Sequence, residues 1–490
     1  MPLLQFSDFR PDTSDYEGTS VHTILNVVPR GDGYGPFPSF SAYTSALPAA
    51  CRGAFYALKA DGTVITFAGT STKLYQLNNT TFGWTDVSLG AGSYSALTSS
   101  ANWQFAQTGN LVFATHANVV LQVFDLSSSS AFAAAAGSPP QAAYISVVGR
   151  FLVLSGLLSL AFRIQWSGLN NFNASDSWTS GVKSSDFQDF PDGGIVRGVA
   201  GGEAGIIFQD QAIRRMSYVP GSPIIFQIDR ITQDKGLLAP YSIIRAGEII
   251  FFYAGQGFHK IAPGGIPEQI GREKVDRTFL ADLDKGDLQL FIGAADPRST
   301  RVYWAYNSVS GASGVYDKIL GYDYLIDRWF SIAATGEYLL GISQTGLTLE
   351  NLDTISSSID ALTLSLDSYA TAVQPQIAQF NSSHVLGFFS GPNLEGTIES
   401  AEQGDDEIRV TVKGFRPITD SATVYGSITY RDTQGVSPVI GSEILMSSRT
   451  GRVDMTRDTR YVRFKARFPA GTIWSYIVGV VPDIKGGGKL

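Results

Sequence analysis

Six times between Phe55 and Trp329 the sequence repeats one unit: a short continuous apolar run, a polar turn, then a second apolar or aromatic segment. The runs are Val64 to Phe67, Leu111 to Ala114, Phe151 to Leu154, Ile206 to Phe208, Ile249 to Tyr253 and Val302 to Tyr306. Short apolar runs bounded by turn residues read as strands buried on both faces. Each is followed by a partner segment: Lys73 to Leu77, Val119 to Leu126, Arg163 to Trp166, Ile213 to Tyr218, Phe258 to Ile261 and Ile319 to Tyr324. Recurrence every ~40 to 55 residues is a period that propeller blades have and βαβ units lack. The expected fold is therefore all-β, a β-propeller of about six blades.

A chain of 490 residues exceeds what one core usually holds, so a smaller C-terminal β domain is expected beside the propeller. The 52 glycines and the Ser, Thr, Asn and Asp crowded between apolar runs suit many tight turns. Formal net charge is −8, so the surface as a whole repels nucleic acid, and a DNA-binding role through a basic patch is disfavoured. Cys51 is the single cysteine and has no internal partner, which excludes a disulfide scaffold and fits folding in a reducing cytoplasm. Met1 to Arg10 lack the pattern of a signal peptide, and the longest apolar stretch, Phe151 to Phe162, is too short for a membrane helix, so no membrane anchor is expected.

Residues 1–50 are dense in Pro, Gly and Asp and read as an extended N-terminal arm. The propeller is expected over 51–345, with a low-complexity exposed loop at Ser127 to Pro140 and a longer insertion, Asn170 to Pro191, in blade three. Leu349, Leu352, Ile355, Ile359, Leu362 and Leu366 recur at helical spacing, so 346–390 reads as a partly helical linker or blade closure. Beyond it, 391–490 alternates apolar and polar residues in Glu407 to Phe415, Ala422 to Tyr430, Tyr461 to Phe468 and Ile473 to Val481, as an antiparallel sheet with one wet face does. The tail Lys485 to Leu490 is expected to be mobile or ordered by a partner.

The search for chemistry returns little. His22, His116, His259 and His384 are scattered and show no zinc-ligand spacing. There is no nucleophile elbow and no phosphate loop; Gly255 and Gly257 lie between two strands and read as a turn. Asp282, Asp284 and Asp287 half match a calcium loop but lack its closing glutamate, and read as a solvated loop between blades. Asp405, Asp406 and Glu407 read as a charged turn, and the Asp-box turn of sialidase propellers does not occur. No catalytic, cofactor or metal residue is therefore assigned, and the chain is not expected to be an enzyme. Aromatics in irregular segments are the remaining candidates: Tyr34, Phe37 and Phe40 in the arm, and Trp166, Phe172 and Trp178 around the blade-three insertion. They are read either as anchors for a neighbouring subunit or as closures of their own blade.

The stretch Asn26-Val-Val-Pro-Arg-Gly-Asp-Gly-Tyr-Gly-Pro-Phe-Pro, the segment from Gly53-Ala-Phe through Asp61-Gly-Thr to Lys73-Leu-Tyr, and Gly205-Ile-Ile-Phe-Gln-Asp-Gln-Ala-Ile-Arg-Arg-Met resemble virion proteins of tailed phages and prophages, as do Ile359-Asp360-Ala-Leu and Ser365-Leu-Asp-Ser368. The architecture is similar to the tail-nozzle, or packaged-DNA stabilisation, proteins of short-tailed phages. That resemblance implies a structural ring subunit, six copies beneath the portal and its adaptor ring. It would retain packaged double-stranded DNA, let it pass without sequence preference, and contact tail fibres or a tail needle. It implies residence in the virion tail after synthesis in the host cytoplasm. A glycan-binding or glycan-degrading phage propeller is the alternative from another class, and a scaffold unrelated to phage is a third.

Overall fold

The apolar runs that set the sequence period are the second strands of four-stranded antiparallel sheets. The computed structural model describes residues 3–14, 20–222, 225–344 and 374–489, with the single residues 358 and 360. Val64–Gly69, Leu111–Thr115, Phe151–Leu157, Gly205–Gln209, Ile249–Ala254 and Arg301–Tyr306 each pair with a strand on either side. They are buried on both faces because another sheet covers each side, which is why their sequences do not alternate. The partner segments form the third strands, in the antiparallel sense expected.

Seven such sheets are present among the described residues, not six. Six are contiguous meanders over 54–86, 104–134, 142–189, 196–232, 244–269 and 292–336. The seventh is discontinuous and so leaves no period in the sequence: Tyr338–Gln344, Gln374–Phe380 and Val385–Asn393 are completed by Pro38–Ala46 from the N-terminal region. First strands of successive sheets lie side by side, and Tyr338–Gln344 of the seventh returns to Ala54–Leu58 of the first. The helical spacing read at Leu349 to Leu366 lies outside the described residues.

The closure is held by more than the ladder. The Leu47 amide donates to the His384 carbonyl (2.9 Å), and the Cys51 amide donates to Glu337 Oε2 (2.8 Å). Glu337 Oε1 in turn pairs with His384 Nδ1 at 2.5 Å. Burial raises the Glu337 carboxyl above its ordinary range, while the Cys51 amide and His384 work against that rise. Leu47, Cys51, Phe380, Leu386 and Phe388 pack beneath this junction.

Two larger sheets form the rest. One runs Val27–Pro29, Tyr34–Pro36, Ile477–Lys489, Ile408–Thr419, Val453–Thr459, with Leu4–Gln5 also against Ile477–Lys489. The other runs Thr23–Leu25, Gly396–Glu399, Tyr461–Phe468, Tyr425–Arg431, Val439–Ile440, with Gln403–Gly404 and Ile444–Leu445 as short additions. They face each other across a shared core in which the Phe415 and Phe464 rings meet edge to face at 5.3 Å.

The expected extended arm is therefore corrected. Residues 4–46 supply strands to both larger sheets and to the seventh small sheet. Proline and glycine here build sharp turns between very short strands, as where the Arg30 amide donates to the Gly33 carbonyl. The low-complexity stretch after Ser127 is also structured: Ala133–Ala134 is the outer strand of the second sheet, and Phe132 beside it is buried.

The N-terminal region also binds the two modules together. Asp12, itself buried, receives the Arg277 and Thr278 amides (2.7 and 2.8 Å) that the helix Asp276–Asp282 leaves unpaired. That helix seats Phe279 on Phe258, which packs in turn against Trp304 (4.7 Å) and Trp329 (5.0 Å). One continuous core joins these aromatics to Phe415 and Phe464 of the larger sheets.

Candidate functional site

The first strands of all seven small sheets border two adjoining cavities. Tyr56, Tyr144, Gly198, Arg245, Gly293 and Tyr338 come from six different first strands and line two adjoining cavities of about 260 and 520 Å³. Close approach of neighbouring elements requires glycine here: a side chain at Gly201 would meet the Val147 carbonyl, and one at Gly293 the Ile244 side chain. Arg245 borders both cavities, but its donors are already engaged by the Gly247 and Gly201 carbonyls (2.8 and 3.0 Å) and by Glu248 (2.9 Å).

At one end the axis is crossed by hydrogen bonds. Asn102 receives Arg52 Nε at its side-chain oxygen (3.1 Å) and donates Nδ2 to the Gln289 carbonyl (2.7 Å), while its amide donates to Tyr241 Oη (2.8 Å). Arg52 also donates to the Thr98, Ser99 and Ala101 carbonyls. Segments preceding the first, second, fifth and sixth sheets are thereby tied across the axis. Burial pushes the Tyr241 phenol up to about 12, so it stays a neutral hydroxyl at physiological pH, and burial lowers the Arg52 guanidinium from its ordinary value.

The histidines stay apart, as the sequence implied. His116 is buried against Trp103, ring centroids 4.4 Å apart, and burial lowers it to about 4. His259 is buried with Nδ1 on the Gly257 carbonyl (2.9 Å), and His384 belongs to the closure. No group of three metal-ligating side chains occurs among the described residues. Asp282 receives Tyr306 Oη and Lys318 Nζ; Asp284 caps its own turn through the Gly286 amide; Asp287 receives Gln289 and Asn307. Asp405 likewise receives the Glu407 and Ile408 amides. These carboxylates build turns.

The six aromatic candidates divide. Tyr34 is fully buried and donates to the Ser7 carbonyl (2.7 Å); Phe37 packs on Phe389 at 5.0 Å. Trp166 donates to the Ser184 carbonyl and packs on Phe226, and Trp178 is buried in the same sheet's loop. These four close their own modules and present nothing to a partner, which corrects the anchoring reading. Phe40 and Phe172 are half-buried, and Phe172 leans on the core around Trp178.

Sequence reading missed two features. One is a buried ion pair: Glu402, 1% exposed, takes Arg431 on both carboxylate oxygens (2.7 and 2.5 Å). The other is a bare apolar strip at 436–445, whose signal was present as aliphatics between Gly and Ser with no alternation.

No family model matches the chain, and no curated protein matches it. Among solved structures it is similar to the extracellular domain of a putative hybrid two-component system from B. thetaiotaomicron. There the TM-score is 0.38 at 9% identity, over 82% of this chain and 47% of that one. It is also similar to a functionally unknown protein from Desulfotomaculum acetoxidans DSM 771, with a TM-score of 0.33 at 10% identity, over 57% of this chain and 84% of that one. The chain thus spans about half the length of the first neighbour. Likenesses this distant carry no functional argument.

Proposed function

We propose that the chain is a structural subunit of a phage tail: a seven-bladed propeller fused to a β-sandwich, assembled as a ring of copies beneath a portal and its adaptor. The observation that carries this reading is the weave of residues 4–46 through both modules, which ties propeller and sandwich into one stiff block. Stiffness is what a subunit under the load of packaged DNA requires. The sequence resemblance supplies the phage assignment, the six copies, the virion location and the contacts to fibres or a needle.

In this reading duplex DNA passes between copies, not through one. The axial cavities are far too small for a duplex, and Asn102 bridges their end. An acidic wall then serves passage, since it offers the polyanion no counter-charge to hold it. Residues 1–390 hold 23 Lys and Arg against 32 Asp and Glu, so the propeller side carries that acidity.

The test is electron microscopy of intact particles labelled with antibody against this chain. Label at the tail vertex supports the reading, and absence from particles overturns it. A glycan-binding propeller is the second reading, favoured by the tyrosines around the blind axial cavity. Retention on immobilised host polysaccharide, lost in Tyr144→Ala, would place it first.

A further inference from the structure

No other ten-residue stretch among the described residues carries more than two exposed large apolar side chains; 436–445 carries five. They are Val436 (57% exposed), Val439 (50%), Ile440 (72%), Ile444 (37%) and Leu445 (51%). Val439–Ile440 and Ile444–Leu445 are two-residue strands on one edge of Tyr425–Arg431, so their outer hydrogen-bonding groups face outward with the aliphatics. A bare apolar sheet edge is what soluble chains normally blunt, and keeping one marks a place where another surface lands.

Charge around the strip selects the occupant. Lys413, Arg416, Arg449 and Arg457 are exposed on the strands and turn beside it, and none is ion-paired among the described residues. Residues 391–490 hold 13 Lys and Arg against 12 Asp and Glu, so this module departs from the acidic remainder of the chain. The surface asks for a partner that is apolar at its centre and acidic around it. The chain's own propeller offers one: Val309, 68% exposed, with Asp284 and Asp287 nearby, neither of them ion-paired among the described residues.

We propose that the 436–445 strip docks on a second copy of this chain, head to tail, against the acidic face around Val309. This rests on the ring-subunit reading and gives it a contact surface. Because the two patches differ and lie on different modules, repetition of the contact generates a ring, or a filament if the rotation does not close.

The experiment uses the full chain carrying Val439→Cys and Val309→Cys together, treated with a short bismaleimide. Native Cys51 is 1% exposed and its thiol is held protonated by burial, so the introduced thiols report alone. Covalent multimers are expected from the double variant, a more than tenfold drop in them on adding Ile440→Asp, and a melting temperature that does not move. Recovery of only monomers from the double variant, or multimers indifferent to Ile440→Asp, overturns the proposal. Co-sedimentation with phosphatidylglycerol vesicles that Ile440→Asp abolishes also overturns it, in favour of a lipid surface. Labelling of particles is read separately: wild-type chain at the tail vertex with Ile440→Asp equally incorporated sinks the strip and leaves the function, whereas chain absent from particles sinks the function while cross-linking still judges the strip.

Discussion

The module of seven small sheets and the sandwich are built from the same kind of strand but end differently. In the first module each small sheet is covered by its neighbours, and the last is completed by a strand from the N-terminal region, so lateral edges find partners within the molecule. The sandwich leaves two short strands bare on one edge, with aliphatics and exposed cations on display. Buried charge occurs in both: Glu337 and Asp12 serve closure and helix capping, and Glu402 holds Arg431 inside the sandwich. A closed module tolerates little change inside and offers little outside; an open one does the reverse.

The largest effect that would break this contrast is removal of residues 1–30. Leu4–Gln5, Thr23–Leu25 and Val27–Pro29 are strands of the sandwich and Asp12 caps the helix Asp276–Asp282, so the truncation removes ladder partners and the cap together. Truncation should expose the sandwich core and yield insoluble or protease-sensitive protein. A soluble monomer with an unchanged melting curve would show that the modules are not interlocked.

Next in size is the buried pair of the sandwich. Glu402→Ala leaves Arg431, 11% exposed, without its carboxylate, with Gln434 still accepting from it. The expected loss is roughly 3–5 kcal/mol in chemical denaturation, because an uncompensated buried charge keeps its full desolvation cost. Replacing both residues by well-packed apolar ones should recover most of it. A loss below about 1 kcal/mol for the single change would mean that water reaches Arg431 and that this module is more open than its burial indicates.

For the propeller the corresponding probe is pH. His116 is held neutral by burial, its folded value near 4 lying below the ~6.5 of an unfolded chain. As pH falls below ~6.5 the unfolded state takes up a proton that the folded state refuses, so stability declines until about pH 4, where the folded state also binds it. The decline attributable to this residue is on the order of 1–3 kcal/mol. His116→Phe should flatten it between pH 6.5 and 4 in thermal melts, and an unchanged slope would show that acid sensitivity arises elsewhere.

The all-β class and six of the seven small sheets were legible because a strand covered on both sides has to be continuously apolar, and six such runs stood out. The seventh was hidden by its construction: Gln374–Phe380 follows the long segment 345–373, and Val385–Asn393 pairs with Pro38–Ala46, more than three hundred residues away in sequence. Tyr34 and Phe37 misled for a related reason. Proline and glycine on either side imitate an irregular arm, whereas here they serve strands of three residues whose side chains are core. The axial cavity was not legible, because its lining is gathered from strands far apart in sequence, such as Tyr56, Arg245, Gly293 and Tyr338, and no local window contains it.

The smallest expected effect sharpens the comparison most. Ile440, 72% exposed, contributes almost nothing to its own core, so Ile440→Ser should change the free energy of unfolding by no more than ~0.5 kcal/mol. Phe388→Ala under the propeller's closing strand, by contrast, empties a fully packed site and should cost about 3–5 kcal/mol. Equilibrium denaturation of the two variants side by side reads the difference directly. If Ile440→Ser costs as much as a core substitution, the strip is part of the fold and the sandwich is as closed as the propeller. If it costs nothing and the chain nevertheless stops associating, the aliphatics at 436–445 are retained for a partner, since nothing in the isolated molecule depends on them.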